Sequence, residues 1–548
     1  MNVYNKMKTT PALTILIVLI LKSNLFASDP IIVDTTRLDY QYYWFTGSSG
    51  QQILVDENAK VHVCYIKIFA TETDSGWTCK YANITDEIRL EVPNQEKVNI
   101  NPSQVFIDGA YGTPVYLFYG FGSKFLSFSY TWYSPAMAKL NNDGTEIEPL
   151  ELLFEGSYTE PLRLPIGIEV DHKNGIVHTI LSDPCGHDVL HLSFDGTNFG
   201  DVYSLMWSWQ SQGGWNGCNT ELQFRRNGTR GADIAVSPDG SEVTIATLHP
   251  AQNVYLFKGT SQGKVWPDSF ETGLASGSII ALYDTLNSDK GLNIPNNDPK
   301  PFTEVQVDYD DEGNLHVVFD ATYIDVYLDT IKSGYWIDHE IKRVRKLLFG
   351  GAGDTNAVFY DGSVHPKPQI LYWNDQTKTI QTVAECQYPQ AGQKYKWFNY
   401  GIPDSGISCW GKFYNDSPIT NLRLVVNKDQ QENEPEIAVI WEEMQGDVIY
   451  LDQGYYDSLG TRVIDGSYYA YMTDIKIILT NDCARWSLPY NITNTPSKDE
   501  SDFSVYKDII DNKIHLAYCE DSLPGSDWSL CYTFDYQNNY CDITIPGG

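Results

Sequence analysis

Basic residues are scarce in this chain of 548 residues: 38 lysines and arginines stand against 71 aspartates and glutamates, a net charge of −33. Proteins that bind nucleic acid neutralise phosphates with basic residues along a groove, so this composition argues against that class of partner. The chain also lacks a P-loop, an HExxH motif, a dinucleotide-binding fingerprint and a nucleophile elbow. Its cysteines and histidines show no zinc-like spacing.

Long apolar runs are absent after the first residues of the chain. Lys6 and Lys8 precede an apolar stretch at residues 12–21, and Ala27 follows it, which is the order of a secretory signal peptide. The stretch is too short to span a bilayer comfortably, and no later segment could cross one. We therefore predict a signal peptide at residues 1–27, with an uncleaved anchor as the alternative. The mature protein is expected outside the cell or at its surface, or in the periplasm, without stable membrane insertion.

Aromatic residues and turn formers are abundant instead, with 13% aromatics, 42 glycines and 26 prolines, which suits an all-β globular protein. Residues 303–323 (TEVQVDYDDEGNLHVVFDATY) alternate apolar and polar side chains on both sides of an acidic turn that contains Gly313. This pattern predicts a β-hairpin with one buried face. Similar stretches recur at residues 52–65, 104–119, 166–181, 232–247, 421–441 and 503–518, with a weaker one at 356–372.

The repeat predicts the architecture. Four-stranded sheets with one apolar face cannot stand alone, and stacking them radially protects their edges. We therefore predict a single β-propeller of four-stranded blades over residues 28–548. Seven clear units favour seven blades; eight blades and a two-domain β-sandwich are the alternatives.

Ten cysteines, an even number, indicate disulfides in an exported protein. A cysteine closes the first and the last hairpin unit, and each is followed by a Trp-then-Cys-then-Tyr arrangement. A further cysteine could tether a tryptophan-rich loop. The predicted bridges are Cys64–Cys79, Cys519–Cys531 and Cys185–Cys218.

Two sets of polar residues could bind metal. The histidines at the same place in four units are His62, His178, His316 and His515. Because four blades would hold them far apart, we interpret them as structural strand residues. Alternating carboxylates at Asp308, Asp310 and Glu312 precede Gly313 and would suit calcium, but no bidentate ligand follows at the EF-hand position. We therefore expect no cofactor, with calcium as the alternative.

Several turns resemble a known motif. Residues 193–199 (SFDGTNF) and the turn at 481–484 before Trp486 place an aspartate a few residues ahead of an aromatic ring, and residues 77–85 and 486–493 echo each other. These turns resemble the Asp boxes of sialidase-like β-propellers. The resemblance implies a propeller in which the aspartate caps a hairpin and the aromatic ring packs beneath it. In that family the motif is structural and does not indicate activity.

Arg163, in Leu162-Arg163-Leu164-Pro165, resembles the arginine of the sialidase R-I-P motif and is a candidate ligand-binding residue. The catalytic Tyr/Glu pair of that family cannot be assigned here, so we name no catalytic residue. Residues 204–224 hold three further candidates, Trp207, Trp209 and Trp215, whose rings could stack on sugars or contact a protein. For the first two the alternative is packing between blades, and for Trp215 it is a place in the core.

The sequence therefore favours an exported, non-catalytic propeller that binds a glycan or a surface protein. A carbohydrate-active enzyme, either a glycoside hydrolase or a polysaccharide lyase, is the first alternative. A structural component of the surface or matrix is the second.

Overall fold

A computed structural model gives the structure of the protein. The residues that it describes are 33, 51–70, 75–92, 100–109, 114–124, 131–141, 144–150, 164–182, 189–200, 203–204, 232–249, 253–260, 262–266, 278–280, 300–322, 359–361, 369–386, 394–396, 419–428, 435–456, 462–493, 499–510, 513–521, 532–535 and 540–543. These residues form β-strands and turns, and no helix capable of crossing a membrane occurs among them. The predicted signal peptide lies outside them.

In this part of the chain the strands form six four-stranded antiparallel sheets. Sheet 1 contains β1 to β4: Ile53–Val55, Val61–Ala70, Ser75–Asn83 and Ile88–Glu91. Sheet 2 contains β5 to β8: Ile100–Asp108, Tyr116–Lys124, Thr131–Leu140 and Ile147–Pro149. Sheet 3 contains β9 to β12: Leu164–Val170, Val177–Ser182, Val189–Phe194 and Tyr203–Ser204. Sheet 4 contains β13 to β16: Ala232–Val236, Glu242–His249, Asn253–Thr260 and Ser278–Ile280.

The remaining strands among the described residues form two four-stranded sheets and three two-stranded pairs. Strands β17 to β22 are Lys300–Tyr309, Leu315–Thr322, Phe359–Asp361, Gln369–Asn374, Ile380–Glu385 and Lys394–Lys396. Sheet 5 contains β17, β18, β20 and β21, while β19 pairs with β22. Sheet 6 contains β23 to β26: Ile419–Val426, Ile437–Tyr456, Arg462–Thr480 and Tyr490–Asn491. Sheet 7 contains β27 (Asp499–Val505) and β28 (Leu516–Asp521), and β29 (Tyr532–Asp535) pairs with β30 (Tyr540–Ile543).

The first strands of the seven sheets contact one another in chain order, from β1 and β5 to β23 and β27. The order then returns to its start. The backbone N–H of Gln52 donates to Ser504 Oγ at 2.9 Å, and that of Lys507 donates to Gln51 Oε1 at 3.2 Å. Tyr506 is buried in the same apolar cluster as residues of sheets 1 and 2. The described sheets therefore form the closed ring of a β-propeller, and this confirms the predicted all-β architecture.

Alternation along the first strands explains the packing. In β17, Val305, Val307 and Tyr309 lie in an apolar cluster shared with sheet 4. Gln306 and Asp308 alternate with them and are also buried, and Asp308 contacts a lysine of sheet 6. Successive side chains of a strand point to opposite sides. One side of each first strand therefore packs against a neighbouring sheet, while the other carries polar groups to the axis of the ring.

The two ends of the ring differ in their connections. The connections from first to second strand are short, and they define the short-turn end: residues 56–60, 109–115, 171–176, 237–241, 310–314, 427–436 and 506–515. The four longest connections begin and end at the opposite, long-connection end: residues 205–231, 281–299, 323–368 and 386–418. Antiparallel order requires this separation, because alternate connections of a meander lie at opposite ends.

A two-stranded ribbon also extends from the long-connection end. The partner of Glu443 is Ile419, the first residue of β23, yet β24 and β25 remain paired as far as Tyr456 and Arg462. The ribbon beyond the sheet is roughly 40 Å long at 3.4 Å per residue.

Each of the seven clear hairpin units coincides with the first two strands of one sheet. The weaker unit at residues 356–372 is not an eighth hairpin, since it spans β19 and the start of β20, which belong to different sheets.

Candidate functional site

A network of buried charges occupies the axis of the ring. Lys507, just after β27, extends its Nζ to Glu169 Oε2 at 3.2 Å and to Asp233 Oδ1 at 3.3 Å. It also donates to the backbone oxygen of Ile234 at 2.9 Å. Glu169 belongs to sheet 3 and Asp233 to sheet 4, so this one lysine from sheet 7 crosses the axis.

A second lysine joins sheets 5 and 6. Lys428 Nζ lies 3.4 Å from Asp308 Oδ1, and the backbone N–H of Lys428 donates to Asp508 Oδ1 at 3.0 Å. Burial alone would lower the pKa of Lys428, but Asp308 and Glu169 raise it above its ordinary value. Burial raises the pKa of Asp308, whose Oδ2 has no partner in the structure.

Carboxylates on the axis also bind backbone N–H groups of neighbouring sheets. Asp108 Oδ2 accepts from Val170 at 2.6 Å, and Asp233 Oδ2 accepts from Val307 at 2.9 Å. Glu304 accepts in the same way from the N–H groups of Asn421 and Leu422, and Glu442 accepts from that of Phe503. These bonds join sheet 2 to 3, sheet 4 to 5, sheet 5 to 6 and sheet 6 to 7.

The axial carboxyls titrate differently. Burial raises the pKa of Asp233 to about 6, although Lys507 opposes the shift. Burial and the nearby Glu169 raise the pKa of Asp108. Burial would raise the pKa of Glu169 as well, but Lys507 and Lys428 lower it below its ordinary value. Such divergence also occurs in catalytic acid–base pairs. Here, however, these carboxyls are at most 5% exposed and are bound within the ring, so we interpret the axial network as structural.

Two histidines at the short-turn end each lie between a tyrosine hydroxyl and an aspartate carboxylate, and we call each such group a histidine relay. His62 contacts Tyr81 Oη through Nδ1 at 2.6 Å and Asp56 Oδ2 through Nε2 at 3.3 Å. In sheet 5 His316 repeats the arrangement, with Tyr372 Oη at 2.7 Å and Asp310 Oδ2 at 3.2 Å. Burial lowers the pKa of His62.

In the part of the chain that the structure describes, only the relay of sheet 5 belongs to a group of three side chains that could bind a metal ion. One carboxylate oxygen each of Asp310 and Glu436 and a ring nitrogen of His316 all lie within 4.8 Å of one another. Cys483 Sγ donates to Glu436 Oε1 at 3.1 Å. Burial and Glu436 raise the pKa of the Cys483 thiol to about 12, although Tyr372 opposes the shift.

The remaining aligned histidines serve other contacts. His178 Nδ1 lies 3.1 Å from His191 Nε2, and the two rings stack. Burial lowers the pKa of His178 to about 4, so the pair is neutral at pH 7. His515 accepts at its backbone oxygen from Tyr506. His62, His178 and His316 thus lie in three different sheets and His515 directly precedes a strand of a fourth, as the structural interpretation requires.

The Asp-box-like turns have the expected geometry at the short-turn end. Asp195 Oδ1 accepts from the N–H groups of Thr197 and Asn198 at 2.9 and 2.7 Å, and Phe199 packs on Phe194. These N–H bonds lower the pKa of Asp195.

The turn after β25 is built in the same way. Asp482 Oδ1 accepts from the N–H groups of Ala484 and Arg485 at 3.0 and 2.8 Å. Trp486 packs edge-on against Tyr372 of sheet 5, with ring centroids 5.1 Å apart. In both turns the aspartate caps the hairpin and an aromatic ring packs nearby.

The three carboxylates that were considered as calcium ligands contact different partners. Asp308 pairs with Lys428 and Asp310 with His316. Glu312, which is exposed, accepts from Asn314 at 3.4 Å. The calcium alternative stays a prediction.

The predicted ligand-binding residues Trp207, Trp209, Trp215 and Arg163 lie outside the described residues, as do Cys185, Cys218 and Cys531. The backbone of Cys519 lies in β28. No disulfide is formed within the described ranges.

Cys64 is paired with Tyr81 and Cys79 with Ile66, so the two cysteines are diagonal neighbours. Diagonal Cα atoms are about 7–8 Å apart, whereas a disulfide needs about 4.4–6.8 Å, so a bridge would require the strands to shift. The bridge stays a prediction.

No sequence pattern indicates Glu436 and Cys483 as neighbours of the His316 relay. Glu436 lies in the polar turn of the hairpin unit at residues 421–441, where nothing distinguishes it from the other turn residues, and Cys483 belongs to a turn 167 positions after His316. The Asp-box-like turn at residues 481–484 was the one signal near them.

No protein-family model matches the sequence, and no curated protein matches it. Among solved structures, an ulvan lyase described as a PL25 polysaccharide lyase is 10% identical, with a TM-score of 0.36 over 79% of this chain and 89% of that chain. An α-L-arabinanase from Penicillium chrysogenum, complexed with arabinobiose, is 10% identical, with a TM-score of 0.30 over 52% and 80%. A β-fructofuranosidase from Bombyx mori, in complex with sucrose, is 11% identical, with a TM-score of 0.26 over 77% and 82%. Because these scores are low, our conclusions depend on the geometry of the chain itself.

Proposed function

We propose that the chain is a seven-bladed β-propeller that binds a neutral glycan through the loops of its long-connection end, without cleaving it. Sheets 1 to 7 would be the blades. The blade count is supported by the closed order of the seven first strands. The protein would be exported, as the basic and apolar N-terminal residues indicate.

The observation that carries the proposal is the placement of the long connections. The four longest ones and the ribbon of β24 and β25 all leave from one end of the ring. Ligand sites of rigid β-scaffolds lie on such loops, because the scaffold holds the loops while their sequences vary.

Several aromatic residues belong to the segments that leave from this end. The connection at residues 205–231 contains Trp207, Trp209 and Trp215. In the ribbon, tyrosines occupy cross-strand positions, with Tyr450 opposite Tyr469. Aromatic rings suit sugar binding because their faces stack on the apolar faces of pyranose rings.

Charge argues for a neutral glycan. With a net charge of −33, the protein repels polyanions such as sulfated or uronic acid polymers at low ionic strength. The axial carboxyls are bound within the ring, so they offer no acid–base pair for hydrolysis or elimination. A carbohydrate-active enzyme would need catalytic groups at the long-connection end, and that remains the second candidate.

The test is a binding screen on the full secreted chain with neutral and sulfated polysaccharides, together with an assay for depolymerisation. We expect retention by at least one neutral polysaccharide without release of reducing ends or unsaturated products. Trp215→Ala should weaken binding at least tenfold, which is about 1.4 kcal/mol, while the protein stays folded.

Leu488→Ala provides the control, since Leu488 is 88% exposed in a turn at the opposite end. This variant should bind like the wild type. Depolymerisation would favour the enzyme, and preference for a sulfated polymer would contradict the argument from charge. Unchanged binding by folded Trp215→Ala would remove that ring from the site.

A further inference from the structure

We propose that Asp310, His316, Glu436 and Cys483 form a zinc site that joins sheets 5 and 6 at the short-turn end. The oxygen, nitrogen and oxygen atoms of the first three residues lie within 4.8 Å of one another. The thiol of the fourth contacts the second carboxylate at 3.1 Å. The site is remote from the long connections, so it does not depend on the proposed glycan binding.

Local structure explains how the four residues meet. Asp310 begins the turn between β17 and β18, and His316 is the second residue of β18. Glu436 immediately precedes β24, and Cys483 follows β25 in the capped turn of sheet 6. All four therefore lie at the same end of two neighbouring sheets.

The donor set suits zinc. Structural zinc is tetrahedral, with bonds of about 2.0–2.3 Å to histidine, carboxylate and cysteine, so its ligand atoms are about 3.3–3.8 Å apart. The separations of 3.2 Å between His316 Nε2 and Asp310 Oδ2 and 3.1 Å between Cys483 Sγ and Glu436 Oε1 are close to this range. Calcium and magnesium prefer sets of oxygen atoms, so an imidazole and a thiol select against them.

Outer hydrogen bonds already orient the ligands. His316 Nδ1 lies 2.7 Å from Tyr372 Oη, which also accepts from Asn374 Nδ2 at 3.0 Å. Asp310 accepts from the backbone and side-chain nitrogens of Asn314, both at 2.7 Å. Histidine and carboxylate ligands of metals have such second partners, which fix the ring and the carboxylate in place.

Charge provides an independent reason for a cation. Carboxylate oxygens of Asp310 and Glu436 approach within 4.8 Å where Asp310 is buried. Two like charges this close repel each other, and a divalent cation between them removes the repulsion. Glu436 and Cys483 are partly exposed, which gives the ion a path to the site.

Sheet 1 is an internal comparison. Asp56, His62 and Tyr81 form the same relay, with 3.3 and 2.6 Å contacts. The residues described around it supply no second carboxylate within ligand distance. The relay by itself is therefore a structural element of a blade. In its second copy Glu436 from sheet 6 lies within 4.8 Å of the relay, and Cys483 beside Glu436 would supply the fourth ligand.

The experiment uses the full chain, stripped with EDTA and dialysed. Zinc binding is measured by calorimetric titration, and bound metal by elemental analysis after gel filtration. We expect one zinc ion to bind at Asp310, His316, Glu436 and Cys483. Zinc should raise the melting temperature of the protein, and calcium should not. Glu436→Gln and Cys483→Ser should each weaken that binding at least tenfold, and Tyr372→Phe by about 10–100-fold.

His62→Gln is the matched control, because it breaks the relay that lacks the extra ligands, and it should retain full zinc binding. Circular dichroism establishes that each variant is folded. A substitution of the buried His316 could prevent folding, so the test uses Glu436 and Cys483, which are partly exposed and lie outside the strands. Absence of zinc uptake by the wild type overturns the proposal. So does uptake that folded Glu436→Gln and Cys483→Ser leave unchanged.

Discussion

Replacing Lys507 tests whether the axial ion network holds the ring together. Lys507→Met removes the ammonium group but keeps a side chain of similar length. The variant loses contacts of 3.2 Å to Glu169, 3.3 Å to Asp233 and 2.9 Å to the Ile234 carbonyl. All three charged side chains are at most 9% exposed. Two carboxylates would then be left buried without their cation.

Removing one partner of a buried pair costs about 3–5 kcal/mol, mostly because the remaining charge stays desolvated. We therefore expect Lys507→Met to lower the free energy of unfolding by that amount at pH 7. A protein of ordinary stability has about 5–15 kcal/mol in total, so the effect should be large. Urea titration followed by tryptophan fluorescence and far-ultraviolet circular dichroism measures it.

Lys60→Met is the control, because Lys60 and Asp86 form an ion pair of 2.6 Å whose side chains are 39% and 36% exposed. Exposed pairs contribute about 0–1 kcal/mol. Adding Asp233→Asn to Lys507→Met should cost less than the sum of the single changes, because one of the stranded charges is removed. A loss in Lys507→Met no greater than that in Lys60→Met would refute a structural role for the network.

Two further predictions concern titration and oxidation. The pKa of Asp233 is raised to about 6 from 3.8, so the folded state holds this proton more tightly than the unfolded state. The resulting stabilisation is present at low pH and is lost as the pH rises through about 6. Between pH 4 and 7 the wild type should lose about 2 kcal/mol relative to Asp233→Asn, and parallel pH profiles in urea titrations would contradict this sign. Non-reducing peptide mapping of the exported protein tests the Cys64–Cys79 bridge, and recovery of both cysteines as alkylated thiols would rule it out.

The first two strands of each sheet could be predicted from the sequence because their signal is local. Residues 232–247, for example, alternate around a turn, and the structure pairs Ala232 with Thr247 through that alternation. The capping role of Asp195 and Asp482 was also predictable, since it depends on residues two and three positions further along the chain.

The contacts across the ring could not be predicted in this way. Lys507 reaches Asp233 over 274 positions of the sequence, and Glu304 reaches Asn421 over 117. With 71 acidic residues in the chain, no pattern singles out the few that lie on the axis. An acidic residue reaches the axis only if it lies on the first strand of a sheet and at the right height along the axis. Both conditions are set by the closed ring and not by the local sequence.

The two histidine relays show where the repeat stops being informative. The hairpin pattern places His62 and His316 at equivalent positions, and in the structure each histidine contacts one tyrosine hydroxyl and one aspartate of its own sheet and turn. Their surroundings differ because the next sheet differs: sheet 6 adds Glu436 beside the second relay. A side chain's role within a blade is therefore set by its position in the repeat. Metal binding between two sheets depends on the side chains that the neighbouring sheet supplies. Substitution of Glu436 should therefore weaken the proposed zinc binding at His316, and the contacts of His62 with Tyr81 and Asp56 should stay unchanged.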